Sequence, residues 1–510
     1  MGNVVNYLKL VYNYIVKVNL YFVGGAFMKK NFLKVFVASV AGVALLAGGL
    51  LSVPTKAATQ QKEYRNVGYV FQRNCNIDTL DVTKITHLNY SFGLIYNREY
   101  EELGDETNPD VVVPHDFDDS LLHTIYLPEK VASDLSRLNV LKEKNPDLNV
   151  LLSVGGWECR GFSDAASTEE GRKTFAQSCK NVIDEYGLSG IDLDWEYPVN
   201  GGWGAIKSRP EDRENFTLLL KEVRSAIGED KLLTIAGSAN VNFSNGTWTE
   251  FKDVISILDY INIMTYDFRY GSCYFDSALY PSETWKTEFD YDDYNTDMAV
   301  KLYLQNGCPS EKINIGLSFS AGIPELVSGK LDGELSFIKG ALDKVGFPLD
   351  EKNPTPVLLA VKNLKESDGF YKKWDEDAKT MYVTYKHTDG KEYFVMSYIE
   401  PQGLSEKTQY IKDNNLGGTM FWEFSADYDN SLVAQIAKEL NINGFGEEVV
   451  VPDPKPEVKP EIKPEVKPES TPSKDELVKT GDVTPILSLI SLSGVSLGVS
   501  TVTFKKRKAK

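Results

Sequence analysis

The stretch Gly190-Ile191-Asp192-Leu193-Asp194-Trp195-Glu196 constrains the fold of this chain more than any other. Side chains alternate faces along a strand, so Asp192, Asp194 and Glu196 share one side while Ile191, Leu193 and Trp195 share the other. An exposed strand with solvated acids would account for the carboxylates alone. The large apolar residues on the opposite face argue instead for a strand buried on both sides. Desolvating an unpaired carboxylate costs several kcal/mol, so acids repeated along an inward face are ruinous as packing and are expected to carry chemistry. Crowding also raises carboxyl pKa values. A glutamic acid held protonated near neutral pH can deliver a proton to a leaving oxygen.

Runs of β-branched and apolar residues recur at Val67–Phe71, Ile85–Phe92, Leu148–Val154, Gly190–Trp195, Leu232–Gly237, Tyr260–Tyr266, Ile313–Phe319 and Gly417–Trp422. Helical patterns such as Asn215–Ile227 and Lys407–Asn414 separate them. This alternation predicts an α/β fold, a (β/α)8 TIM barrel over residues 58–446. In such a barrel the acidic face points inward and its last residue, Glu196, emerges at the C-terminal rim where active sites sit. The gap before the last strand is too long for one helix. Residues 324–400 hold short alternating runs, Thr380–Tyr385 and Glu392–Ser397, around the turn Thr388-Asp389-Gly390. They predict a small α+β insertion between the seventh and eighth strands, beside the cleft.

Further motifs fall at the ends of other strands. Leu151-Leu152-Ser153-Val154-Gly155-Gly156-Trp157 closes the third, Ile263-Met264-Thr265-Tyr266-Asp267 the sixth, and Gly418-Thr419-Met420-Phe421-Trp422-Glu423 the eighth. Each alone has an ordinary reading: a strand-to-loop turn, a tyrosine packed at the rim, a tryptophan filling the core. Together with the acidic strand they resemble glycoside hydrolase family 18, with its Asp-x-x-Asp-x-Asp-x-Glu, Ser-x-Gly-Gly and Met-x-Tyr-Asp patterns. Weaker echoes at Gly68-Tyr69, at His87-Leu88-Asn89-Tyr90-Ser91-Phe92, at Lys312-Ile313-Asn314-Ile315-Gly316 and at Trp374-Asp375 extend the likeness over residues 65–430. Two places depart from it. Ser189 stands where the family has its first aspartate, and Ser320-Ala321-Gly322-Ile323 stands where Tyr-Gly-Arg is common.

The resemblance implies retaining, substrate-assisted hydrolysis of chitin or a related N-acetylglucosamine polysaccharide, with no cofactor and no metal. Glu196 would be the general acid. Asp194 would orient the substrate's acetamido group, Asp192 would share a proton with Asp194, and Tyr266 would hold the acetamido carbonyl. Trp422 would floor the sugar at the cleavage site. Gly155, Gly156, Trp157 and Glu158 would contact substrate from the third strand, and Tyr69 and Phe92 from the first two. Tyr197, Met264, Thr265 and Asp267 would complete the set. Two other readings use the same residues. An endo-β-N-acetylglucosaminidase acting on glycoprotein glycans or peptidoglycan would share the acids. A non-catalytic chitin-binding lectin would not be expected to keep Glu196.

The ends of the chain carry addresses rather than fold. Met28-Lys29-Lys30, the apolar run Val35–Val53 and Thr55-Lys56-Ala57 read as a secretory signal peptide within residues 1–57, with translation starting at Met28. In residues 447–476, proline recurs at every fourth position from Pro456 to Pro468 among alternating charges, which forbids helix and core and gives an extended spacer. Residues 477–510 hold Leu477-Val478-Lys479-Thr480-Gly481, an apolar span Val483–Phe504 and the basic end Lys505-Lys506-Arg507-Lys508. That order resembles a Gram-positive cell-wall sorting signal, which implies a sortase and peptidoglycan as partners. Val478 replaces the usual proline. The net charge of -18 excludes a nucleic-acid partner. The 5 cysteines show no CxxC spacing and the 4 histidines no HExxH or HxH pattern, so no metal site is expected, and an odd cysteine count in a long chain whose fold needs no staples predicts no disulfide. The barrel is expected to act as a monomer.

Overall fold

The computed structural model describes residues 62–99, 118–202, 206–268, 274–285, 294–322, 330–348 and 357–446. The signal peptide, the spacer, the sorting signal and Cys273 lie outside these. In chain order the strands are β1 (Arg65–Phe71), β2 (His87–Ile95), β3 (Ile125–Tyr126), β4 (Asn149–Gly155), β5 (Gly190–Asp194), β6 (Leu232–Ser238) and β7 (Tyr260–Met264). They continue with β8 (Ile313–Ser318), β9 (Ala321–Gly322), β10 (Phe370–Asp375), β11 (Thr380–Lys386), β12 (Glu392–Tyr398) and β13 (Gly418–Trp422). Strands β1, β2, β4, β5, β6, β7, β8 and β13 pair in parallel in that order, and pairing of β13 with β1 closes the ring. This is the expected (β/α)8 barrel.

The expected strand ends shift where the backbone turns. The sixth barrel strand stops at Met264 rather than Tyr266, because the Thr265 N–H folds back onto Ile263 O at 2.8 Å and Asp267 takes a left-handed φ of 58°. The acidic strand likewise ends at Asp194, one residue short of Trp195.

The apolar face of β5 explains its place in the ring. Leu193 and Trp195 point outward into the layer of helices. Trp195 stacks on Phe162 at 5.2 Å and meets Phe216 edge-on at 5.5 Å. These rings come from the helices Phe162–Ser167 and Asp212–Ile227. Losing the Trp195 ring would cost about 3–5 kcal/mol. The neighbouring helix Glu169–Tyr186 is delimited by its own chemistry: the Thr168 side chain accepts from the Gly171 N–H at its start, and Gly187 adopts φ 64° at its end.

Between β8 and β13 the chain builds a second sheet, antiparallel, in the order β10-β11-β12-β9. It has its own apolar cluster, including Leu331, Ile338, Leu342, Phe370, Val383 and Met396. The loop after β7 joins it to the barrel, through Asp276 N–H to Ser397 Oγ at 2.8 Å and Leu279 N–H to Ala378 O at 3.0 Å.

Candidate active site

The acidic strand runs from a saturated environment to an open one. Asp192 is fully buried in the barrel interior. Its Oδ2 accepts from the Tyr69 hydroxyl at 2.8 Å and from Ser153 Oγ at 2.9 Å, and its Oδ1 accepts from Thr234 Oγ1 at 2.5 Å. Tyr69 is oriented in turn by Asn262 Nδ2 at 3.2 Å, Asn262 by Asn314 Nδ2 at 3.0 Å, and Asn314 by Arg65 Nε at 3.1 Å. Burial raises the Asp192 pKa and these donors oppose the rise. Ser189, where the family resemblance leads one to expect another acid, accepts the Val150 N–H at 3.2 Å at the opposite end of the strand.

Two residues on, Asp194 is also buried but poorly partnered: its Oδ1 has no hydrogen-bond partner among the described residues. Burial, then the charges of Glu196 and Asp192, hold its pKa well above the ordinary carboxyl value. Glu196 lies just past the strand end. Burial pushes it up to about 8, against a hydrogen bond from Tyr197 and with help from the Asp267 charge. The two acids therefore share a proton economy in which a neutral carboxyl persists at neutral pH.

Around these acids opens a cavity of about 800 Å³ at the C-terminal rim of the barrel. Gly155 and Gly156 bring the β4 end against β5: the Gly156 N–H donates to Asp194 O at 2.9 Å, and a Cβ on Gly155 would lie 2.0 Å from that same oxygen. No other residue fits there, and Gly155 also holds φ 134°. Trp422 forms the floor, stacked on Phe92 at 5.6 Å and flanked by Tyr69 and Phe71 at 6.0 Å each. Trp157, 48% exposed, stands at the mouth edge-on to Tyr197, whose ring also stacks on Trp248 at 5.7 Å. Tyr266 finds only the Met420 sulfur, a weak acceptor 3.8 Å away, for its hydroxyl among the described residues.

The structure gathers nearly all the expected residues on this cavity. Glu196, Asp194, Tyr266, Gly155, Gly156, Trp157, Glu158, Tyr197, Met264, Asp267, Trp422, Tyr69 and Phe92 line it. Asp192 is not among the lining residues; it lies two positions earlier on β5, held by Tyr69, Ser153 and Thr234. Thr265 is the exception and corrects the expectation of a substrate contact. It is fully buried, and its hydroxyl donates to Gly316 O at 2.8 Å while accepting from Gly316 N–H at 2.9 Å, because the strand has already ended and the alternation is broken. Phe71, Gln72, Ser238, Asn240 and Tyr294 also line the cavity and were not anticipated. Phe71 was within reach, since it shares a face with Tyr69 two positions earlier. Tyr294 arrives from a distant loop and leaves no local signal.

Comparison with known proteins agrees with this geometry. The model of glycosyl hydrolases family 18 matches residues 60–427. Chitinase A1 of Niallia circulans is 31% identical over 428 residues, covering 75% of this chain and 59% of that protein. Chitinase ChiA74 from Bacillus thuringiensis superposes with a TM-score of 0.57 at 27% identity, covering 74% of this chain and 70% of the other. A family 18 N-acetylglucosaminidase from Paenibacillus barengoltzii gives a TM-score of 0.51 at 29% identity, covering 74% of this chain and 100% of its own. With the barrel, the acidic strand and the family match in agreement, this chain belongs to glycoside hydrolase family 18.

Proposed function

We propose that this enzyme hydrolyses β-1,4-linked N-acetylglucosamine polymers, chitin and its soluble oligosaccharides, by a retaining, substrate-assisted route. Glu196 protonates the glycosidic oxygen as the C1–O bond breaks. The carbonyl oxygen of the substrate's own 2-acetamido group attacks C1 and forms an oxazolinium ion. Asp194 accepts the acetamido N–H and offsets the positive charge that develops there, while the Tyr266 hydroxyl donates to the acetamido oxygen. Asp192, held by Tyr69, Ser153 and Thr234, keeps Asp194 oriented and shares its proton. Glu196, now ionised, takes a proton from the water that opens the oxazolinium. Trp422 presents an apolar face to the sugar ring.

The observation that carries this reading is Asp194, a buried carboxyl on the wall of a sugar-sized cavity whose Oδ1 has no donor among the described residues. Leaving such an atom unpaired costs about 1–3 kcal/mol, more for a charge, and an acetamido N–H supplies the missing partner. Incubation with a soluble chito-oligosaccharide series and, separately, with an N-glycoprotein tests the substrate. Release of short chito-oligosaccharides with retained anomeric configuration supports the proposal. Exclusive release of glycans from the glycoprotein would replace it with the endo-β-N-acetylglucosaminidase reading.

For location, we infer from residues 477–510 that the mature enzyme is exported and joined to peptidoglycan through Thr480. The spacer, at about 3 Å per residue in extended polyproline geometry, would lift the barrel off the wall. Release by wall-digesting enzymes supports this. Extraction by detergent with the C-terminal tail intact overturns it.

A further inference from the structure

Helix Pro401–Asp413 packs a buried stripe that includes Leu404, Thr408 and Ile411 into the molecule, and Lys407 lies in that stripe. Lys407 is 3% exposed. A lysine in such a place carries a desolvation cost of several kcal/mol, and it forms no ion pair among the described residues. Burial lowers its pKa to about 7, with the Asp276 carboxylate opposing. The amine is instead committed to one residue of the loop after β7: it donates to Ser277 O and to Ser277 Oγ, both at 2.6 Å. Ser277 Oγ donates in turn to Thr265 O at 2.8 Å. Thr265 is also fixed by its paired hydrogen bonds to Gly316 and its N–H to Ile263 O. The next two residues are Tyr266, which lines the cavity, and Asp267, which also lines it and is held at φ 58°, a left-handed conformation that costs a non-glycine residue energy.

We propose that Lys407 is a positioning residue for the hydrolytic site: its ammonium holds Ser277, Ser277 holds the Thr265 carbonyl, and this chain of bonds fixes the turn that delivers Tyr266 and Asp267 to the cavity. Lys407 touches no substrate. Its work is to lock the end of β7 to the helix that precedes β13, and so to set the distance between Tyr266 and the acids of β5. The amine suits this task because a single flexible stem reaches both acceptors of one serine across the packed interface.

This rests on the hydrolytic reading above, and the two are separable: turnover by the wild type tests that reading, and the ratio of variant to wild type tests this one. Lys407→Met keeps the stem and removes the ammonium. Ser277→Ala removes the link to Thr265 and one of the two Lys407 bonds, and leaves the Ser277 carbonyl in place for the other. Steady-state kinetics on whichever N-acetylglucosamine glycoside the wild type cleaves are measured alongside thermal unfolding. Misplacement by a fraction of an ångström to 1 Å should lower kcat on the order of 10- to 100-fold in each variant, with KM little changed. The double variant should be no slower than the slower single one, because the two residues act in series. Wild-type kcat per folded molecule in both single variants, with only a lowered unfolding midpoint, would overturn the proposal. If Lys407→Met does not fold, Ser277→Ala decides by the same criterion.

Discussion

Asp192 and Asp194 stand two residues apart on one face of β5, and both are buried, yet their surroundings are opposite. Asp192 is met by Tyr69, Ser153 and Thr234. Asp194 keeps Oδ1 unpartnered and faces a cavity. Residue type is the same and both side chains are buried, so the difference comes from what the neighbouring strands contribute at each level of the barrel. Hydroxyls from β1, β4 and β6 converge on the lower carboxylate. At the upper level β4 offers only Gly155 and Gly156, which have no side chain to donate. The fold thus surrounds one aspartate with donors and leaves the Oδ1 of its neighbour without one among the described residues.

Substitutions can break this contrast. The largest effect is expected at the rim: Glu196→Gln keeps shape and removes the transferable proton, so kcat should fall on the order of 10²–10⁴-fold or more while binding of chito-oligosaccharide persists. Turnover and calorimetric binding on one preparation check both halves. Asp194→Asn should lower kcat by about 10²–10³-fold with little loss of stability, since its Oδ1 has no partner among the described residues to lose. Asp192→Asn should do the reverse in emphasis. An amide there turns a donor toward Tyr69, Ser153 or Thr234, costing about 1–3 kcal/mol of stability. Equal unfolding midpoints for the two variants would erase the contrast.

Trp422→Ala should act more mildly, raising KM and lowering kcat together, because the ring both binds and positions the sugar. A loss of stability with unchanged kinetics per folded molecule would make Trp422 a packing residue. Smallest is a shift in pH dependence. In the proposed mechanism Glu196 acts in its protonated form, and its pKa is raised to about 8, so kcat/KM should fall as pH rises through that region. The Asp267 charge contributes to the rise, so Asp267→Asn, which tolerates the left-handed φ, should move the alkaline limb to lower pH. A limb that stays put or moves upward would detach Asp267 from the acid.

The barrel and its acids were legible in the sequence because chemistry dictates residue type there: alternating acids on one face, glycines where two strands touch, an aromatic floor. What escaped was whatever depends on where a strand stops. Thr265 belongs to a matching motif, but β7 ends at Met264, so its hydroxyl turns to Gly316 instead of the sugar. Lys407 reads locally as an ordinary helical lysine. Its acceptors on Ser277 lie 130 positions away, and only the fold brings them together. The loop contributions of Asn240 and Tyr294 were hidden for the same reason.

The claim on which the rest depends is that Asp194 serves the acetamido group of the substrate. It is tested by comparing wild-type hydrolysis of matched N-acetylated and fully N-deacetylated oligosaccharides at saturation. The account predicts that the deacetylated series binds but is cleaved at least about 100-fold more slowly, having no acetamido carbonyl to act as the internal nucleophile and no oxazolinium for Asp194 to stabilise. Cleavage of the two series at equal rates would contradict it.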